Sequence, residues 1–133
     1  PPSFDYPAVS DVYFINEFTR TADETPKVPA LYRLTLSAGA NPVLVPELVA
    51  SNVEQMQFQF GIADGSGNVR YVGPGAVTDW SQVVTTRVWL LLRASTPEGD
   101  LASSSYTLGD FTYSPGDHYR RVVLSSTIQV RNR

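Results

Sequence analysis

The sequence predicts a mainly β fold built from antiparallel strands, and three observations predict it. In Thr85 to Ser95, Val88, Leu90, Leu92 and Ala94 alternate with Arg87, Trp89, Leu91 and Arg93, a period of two with no Gly or Pro to interrupt it. In Val53 to Ile62 the apolar Met56, Phe58, Phe60 and Ile62 alternate with Gln55, Gln57 and Gln59. The 10 prolines and 9 glycines of the 133 residues fall between such alternations, where they read as turns and not as disorder. A tripled Leu with a Trp is too apolar for an open edge, so 85–95 is expected to be a central strand.

The remaining elements follow in chain order. Pro1 to Pro7 is an irregular entry carrying Phe4 and Tyr6. Asp11 to Phe18 is the first strand, with Val12, Phe14 and Phe18 on one face and Tyr13 and Ile15 on the other. The polar residues 19–29, closed by Pro26 and Pro29, form a loop leading to a strand at 31–36 with Tyr32, Leu34 and Leu36 inward; the two strands make an antiparallel hairpin. Val43 to Ser51 is ambiguous: Val45, Leu48 and Val49 fit one helical turn after Pro46, and a helix so short survives only by packing.

Strand 53–62 is expected to set its Met and Phe residues in the core and its Gln residues in water, and Asp64-Gly-Ser-Gly-Asn68 to turn the chain back into a short strand at 69–72. Thr78 or Asp79 caps a single helical turn before the central strand. Residues 96–105 are a polar connection, Tyr106 to Tyr113 a short strand, Ser114-Pro-Gly-Asp117 a turn, and 119–130 the last long strand, with Val122, Leu124, Ile128 and Val130 inward.

Composition narrows the function classes. With 10 basic and 13 acidic residues the net charge is −3, which provides no general attraction to nucleic acid or to an anionic membrane. The absence of Cys excludes disulfides and thiolate metal sites. No run approaches the roughly 20 apolar residues of a membrane helix, and the Pro-Pro-Ser start is expected of a fragment or a processed chain.

Catalytic chemistry finds little to work with. The single His, His118, sits in a turn, no Gly-x-Ser-x-Gly elbow occurs, and the carboxylates Glu98, Asp100, Asp110 and Asp117 are ordinary loop acids, so no catalytic residue and no cofactor are assigned. Asp64, Ser66 and Asn68 recur at every second position like the first ligands of a calcium loop, but only one is charged and no Glu follows at the required spacing; the plain hairpin turn is preferred and no metal is assigned. Arg120, Arg121, Arg131 and Arg133 beside Tyr119 read as a solvated face or a protein contact, the acidic remainder arguing against nucleic acid.

One order of motifs remains: Pro29-Ala-Leu-Tyr-Arg33, Glu47-Leu-Val49, Val53-Glu-Gln-Met-Gln-Phe-Gln-Phe-Gly61, Asp79-Trp80, Arg87-Val-Trp-Leu-Leu-Leu-Arg93, Tyr106-Thr-Leu-Gly109 and Tyr119-Arg-Arg121. In sequence and spacing it resembles the C-terminal domain of PilW-type minor pilins of bacterial type IV pili, over nearly the whole chain from about residue 10. The resemblance implies one pilin-type globular domain spanning 1–133, α+β once joined to the family's N-terminal hydrophobic helix, which this sequence lacks. It implies a structural and interaction subunit that is not an enzyme. Such a subunit primes pilus assembly on the periplasmic side of the inner membrane and in the extracellular pilus. The implied partners are other minor pilins, the major pilin and a PilY-type adhesin, with the membrane reached through that helix.

Two alternatives compete with it: a type II secretion pseudopilin, and an extracellular β-rich domain binding a carbohydrate or adhesin ligand on Tyr71, Trp80, Trp89 and Tyr113. If the domain docks, the candidate interface residues are Arg87, Trp89 and Arg93 on the central strand and Tyr119, Arg120 and Arg121 on the last.

Overall fold

The computed structural model describes residues 11–38 and 40–130. Phe4 and Tyr6 of the entry segment and Arg131 and Arg133 of the basic group lie outside them. The described residues form an all-antiparallel β structure in which the only helical turns are two 3-10 turns, Pro74–Ala76 and Trp80–Gln82. By internal contacts the chain divides into two units at Ser51 and Asn52.

The first unit is a three-stranded sheet of β1 (Val12–Asn16), β2 (Ala30–Leu36) and β3 (Leu44–Ser51) in the order β1-β2-β3. The expected hairpin with a long loop is β1 on β2, and Phe14 stacks on its cross-strand partner Tyr32 with ring centroids 5.6 Å apart. The loop is closed by polar bonds: Glu24 accepts from the Thr19 hydroxyl at 2.6 Å and amide at 2.8 Å, and the Tyr32 hydroxyl donates to the Thr19 carbonyl at 2.6 Å. The ambiguous stretch after Val43 is a strand, not a helix. An isolated turn would have little to pack on, whereas the free side of β2 offers a continuous ladder, and Pro46, which has no N–H to donate, is tolerated because β3 is an edge.

The second unit holds a four-stranded sheet in the order β5-β4-β6-β9, made of β4 (Val53–Ala63), β5 (Val69–Val72), β6 (Val83–Pro97) and β9 (Tyr119–Gln129). As the uninterrupted apolar run predicts, β6 is interior, paired with β4 on one side and β9 on the other. The cap of the 3-10 turn before it is Asp79, whose carboxylate accepts from the Ser81 amide at 2.9 Å. The stretch from Tyr106 to Tyr113 is a tight hairpin instead of one strand: β7 (Tyr106–Leu108) turns through Gly109 at φ +65° into β8 (Phe111–Tyr113), a conformation that the missing Cβ of Gly makes cheap.

That hairpin reverses the expected inside and outside of the sheet. It lies over the face carrying Gln59 and Trp89: a Cβ on Gly109 would stand 3.1 Å from the Gln59 side chain and 3.3 Å from the Trp89 ring. The largest fully buried side chains of this unit accordingly include Leu91, on the Arg87, Trp89 and Arg93 face, and Leu108 of the hairpin itself, with Val53 of β4. Gln55, Gln57 and Gln59 are half-buried instead of facing water. On the opposite face Val122, Leu124 and Ile128, expected inward, are 52%, 49% and 55% exposed, and Met56, Phe58 and Leu90 are only partly covered. Alternation groups these residues correctly; which group is buried is decided by the later hairpin.

Candidate interaction surface

The covered face is organised around Arg121. β9 carries it opposite Arg93 of β6, and its side chain is 1% exposed. All five guanidinium N–H groups have acceptors. Nε and Nη2 donate to Glu54 at 2.5 and 3.0 Å, Nη1 and Nη2 to Asp117 at 2.6 and 2.8 Å, and Nη1 also to the Tyr119 carbonyl at 3.0 Å. Two bidentate carboxylates on one guanidinium are among the strongest polar arrangements a protein makes. A second cation balances the charge: Arg93 Nη1 is 3.8 Å from Glu54, and its guanidinium lies 4.2 Å from the centre of the Tyr119 ring. The Tyr113 hydroxyl, from β8, donates to Glu54 at 3.2 Å, so the same carboxylate fastens the hairpin to the sheet.

The ionisation states follow from these contacts. Burial alone would lower the pKa of Arg121, but the hydrogen bonds to Glu54 and Asp117 outweigh it and raise the value above the ordinary one. The hydrogen bond from Arg121 holds Asp117 below the usual carboxylate range. Burial, followed by the neighbouring Glu54 charge, raises the Tyr113 phenol and keeps it a proton donor. Four opposed charges and two aromatic rings thus form a cluster tying together β4, β6, β8 and β9, in which every donor of Arg121 is paired.

The expected interface residues separate into two sets. Arg121 and Arg93 are committed to this cluster, with Tyr119 lying beneath Arg93. Arg87 and Trp89 are half-buried outside it, and Arg120 is exposed. Arg87 lies 3.7 Å over the Tyr71 ring and 5.8 Å from the Trp89 ring, making an aromatic and cationic strip beside the hairpin. Gly61 leaves room for it, since a Cβ there would sit 2.2 Å from the Thr85 hydroxyl and 3.2 Å from the Tyr71 ring. Arg120 is 67% exposed and donates to both oxygens of Glu98 at 2.8 and 2.7 Å.

Glu54 and Asp117 are the central residues that sequence reasoning missed. Glu54 is the one carboxylate in a strand of Gln and apolar residues, and a β-bulge between Val53 and Gln55 accompanies it. The spacing of Asp117 and Arg121 was visible, but its meaning depended on both lying beside Glu54, distant in sequence.

The other suggested sites are used locally. Asp64 accepts from the amides of Ser66 and Asn68, both at 2.9 Å, and from the Asn68 side chain at 3.1 Å, so its carboxylate braces its own turn. His118 Nδ1 lies 2.8 Å from the Leu101 carbonyl, which can only accept, so that nitrogen carries the proton. Trp80 packs edge-on against Phe60 at 4.8 Å, while Tyr71 and Trp89 belong to the Arg87 strip and Tyr113 to the cluster.

A comparison with known families gives one match, the family model described as type IV pilus-assembly protein W, over residues 12–132. No curated protein matches the chain. No solved structure matches it either.

Proposed function

The chain belongs to the PilW family of type IV pilus-assembly proteins, and from that premise we propose that it is a minor pilin which primes assembly by docking with other minor pilins and a PilY-type adhesin. Membership gives a role in type IV pilus assembly and a pilus-associated place in the cell envelope, and the family is structural rather than catalytic. Among the described residues no helix is long and apolar enough to cross a membrane.

The observation that carries the docking reading is the strip in which Arg87 stacks on Tyr71 beside Trp89. Aromatic residues and Arg are the side chains that most often anchor protein interfaces, and these stand on the same sheet face as the Arg121 cluster, which ties the strands together beside them. Arg120, outside the cluster, provides a charge at the rim.

Replacing Arg87 or Trp89 by Ala should weaken a pull-down of partner minor pilins by about 1 to 4 kcal/mol. For Arg87→Ala the melting temperature should hold, which separates lost docking from lost folding. Deleting the gene should leave major pilin in the membrane and few fibres outside. Unchanged surface pili in the deletion strain would overturn the priming role.

A further inference from the structure

The three-stranded and four-stranded sheets have four edges between them, and three are built in ways that discourage pairing. β5 has four residues, includes Arg70 and runs into Gly73 and Pro74. β3 carries Pro46 and Glu47, and β1 is five residues long between Asp11 and Glu17. β9 is the least guarded, its charges confined to Arg120 and Arg121 at its start. It is 11 residues long, contains no Pro, Lys or acid, and keeps an unbroken register with β6 from Arg121 opposite Arg93 to Gln129 opposite Thr85. From Val122 to Val130 it carries no charge at all.

The hydrogen-bond phase of the free side can be read from one contact. The Val130 amide donates to the Val84 carbonyl at 2.8 Å, so the even-numbered residues of β9 exchange bonds with β6. Arg121, Val123, Ser125, Thr127 and Gln129 therefore direct their N–H and C=O groups to the open edge.

We propose that this edge pairs with the same edge of a second copy, antiparallel about a two-fold axis at Ser125, joining the two sheets into one. The regular stretch Arg121 to Gln129 is centred on Ser125, and in that register every outward residue meets another outward residue: Ser125 its own copy, Val123 Thr127, and Arg121 Gln129. On the other face Val122 meets Ile128 and Leu124 meets Ser126, which covers the three half-exposed apolar side chains. No like charges oppose one another. A strand is thus self-complementary in backbone phase, charge and side-chain pattern, which selects a second copy of this chain over an unrelated strand.

The chain has no Cys, so Ser125→Cys introduces its only thiol. Two such residues facing across the axis would have Cα atoms about 5.5 Å apart, within the disulfide range. Mild oxidation should cross-link Ser125→Cys at least roughly tenfold faster than Ser104→Cys in the exposed connection, through the raised local concentration. Sedimentation of the unaltered protein should show a concentration-dependent dimer. Ser125→Lys, which sets two ammonium groups face to face at an exposed position, should return it to monomer, with a melting temperature equal to that of the unaltered protein at dilutions where both are monomeric. Equal cross-linking rates, a monomer at every concentration, or a dimer that survives Ser125→Lys would each overturn the pairing.

Discussion

The two faces of the four-stranded sheet are made of opposite materials and used against expectation. One carries Met56, Phe58, Val88, Leu90, Leu92, Val122, Leu124 and Ile128, the last three about half exposed among the described residues; the other carries Gln, Arg, Trp and Leu91 and holds the buried centre. Polarity did not choose the inside. The β7 and β8 hairpin did, by lying on the face whose polar groups could be paired with one another, so that burying Arg121 leaves none of its donors unsatisfied.

The largest test of this contrast is Arg121→Ala. It leaves the nearly buried Glu54 and the part-exposed Asp117 without the guanidinium both clamp, with only Arg93 at 3.8 Å from Glu54, and should destabilise the domain by about 3 to 5 kcal/mol in urea unfolding, as removal of one partner from a buried ion pair does. A loss under about 1 kcal/mol, the size of a surface ion pair, would mean that the face is open.

Next comes a pair of leucines, one from each face. Leu91→Ala should cost about 2 to 5 kcal/mol, whereas Leu124→Ala, at a half-exposed position, should cost under about 1 kcal/mol. The reverse order would restore the apolar face as the core.

The smallest effect concerns acid. Asp117 has its pKa lowered in the folded state, so its contribution is fully present above the unfolded carboxylate value, about 3.9, and is lost as the pH falls through the folded value. Stability should therefore decline below about pH 4, and Asp117→Asn should flatten that decline while lowering stability at neutral pH. An identical acid limb in the two proteins would detach Asp117 from the cluster.

Much of the fold was legible because it rests on local chemistry. The period-two runs located β4, β6 and β9, the Gly-rich turn after Asp64 located β5, and Asp79 capped its turn as its side chain allows. What escaped was long-range. β3 became a strand because β2 had a free side, the 106–113 stretch folded back at Gly109, and the inner face was selected by that hairpin. The same holds for the candidate surface: Arg87, Trp89 and the Tyr119 to Arg121 edge stood out as residue types, but only contacts across the sheet distinguish Arg121, held inside, from Arg120, left in water.

The double clamp on Arg121 also bears on how such a chain can vary by descent. Lys at that position has three donors on a point and no planar fork, so it cannot span two carboxylates as Arg does. Losing Arg121 alone would leave the nearly buried Glu54 and the part-exposed Asp117 without the guanidinium they share, and losing Glu54 alone would release the hairpin as well. Positions 54, 117 and 121 are thus coupled in energy, so that replacing all three should cost less than the sum of the single replacements.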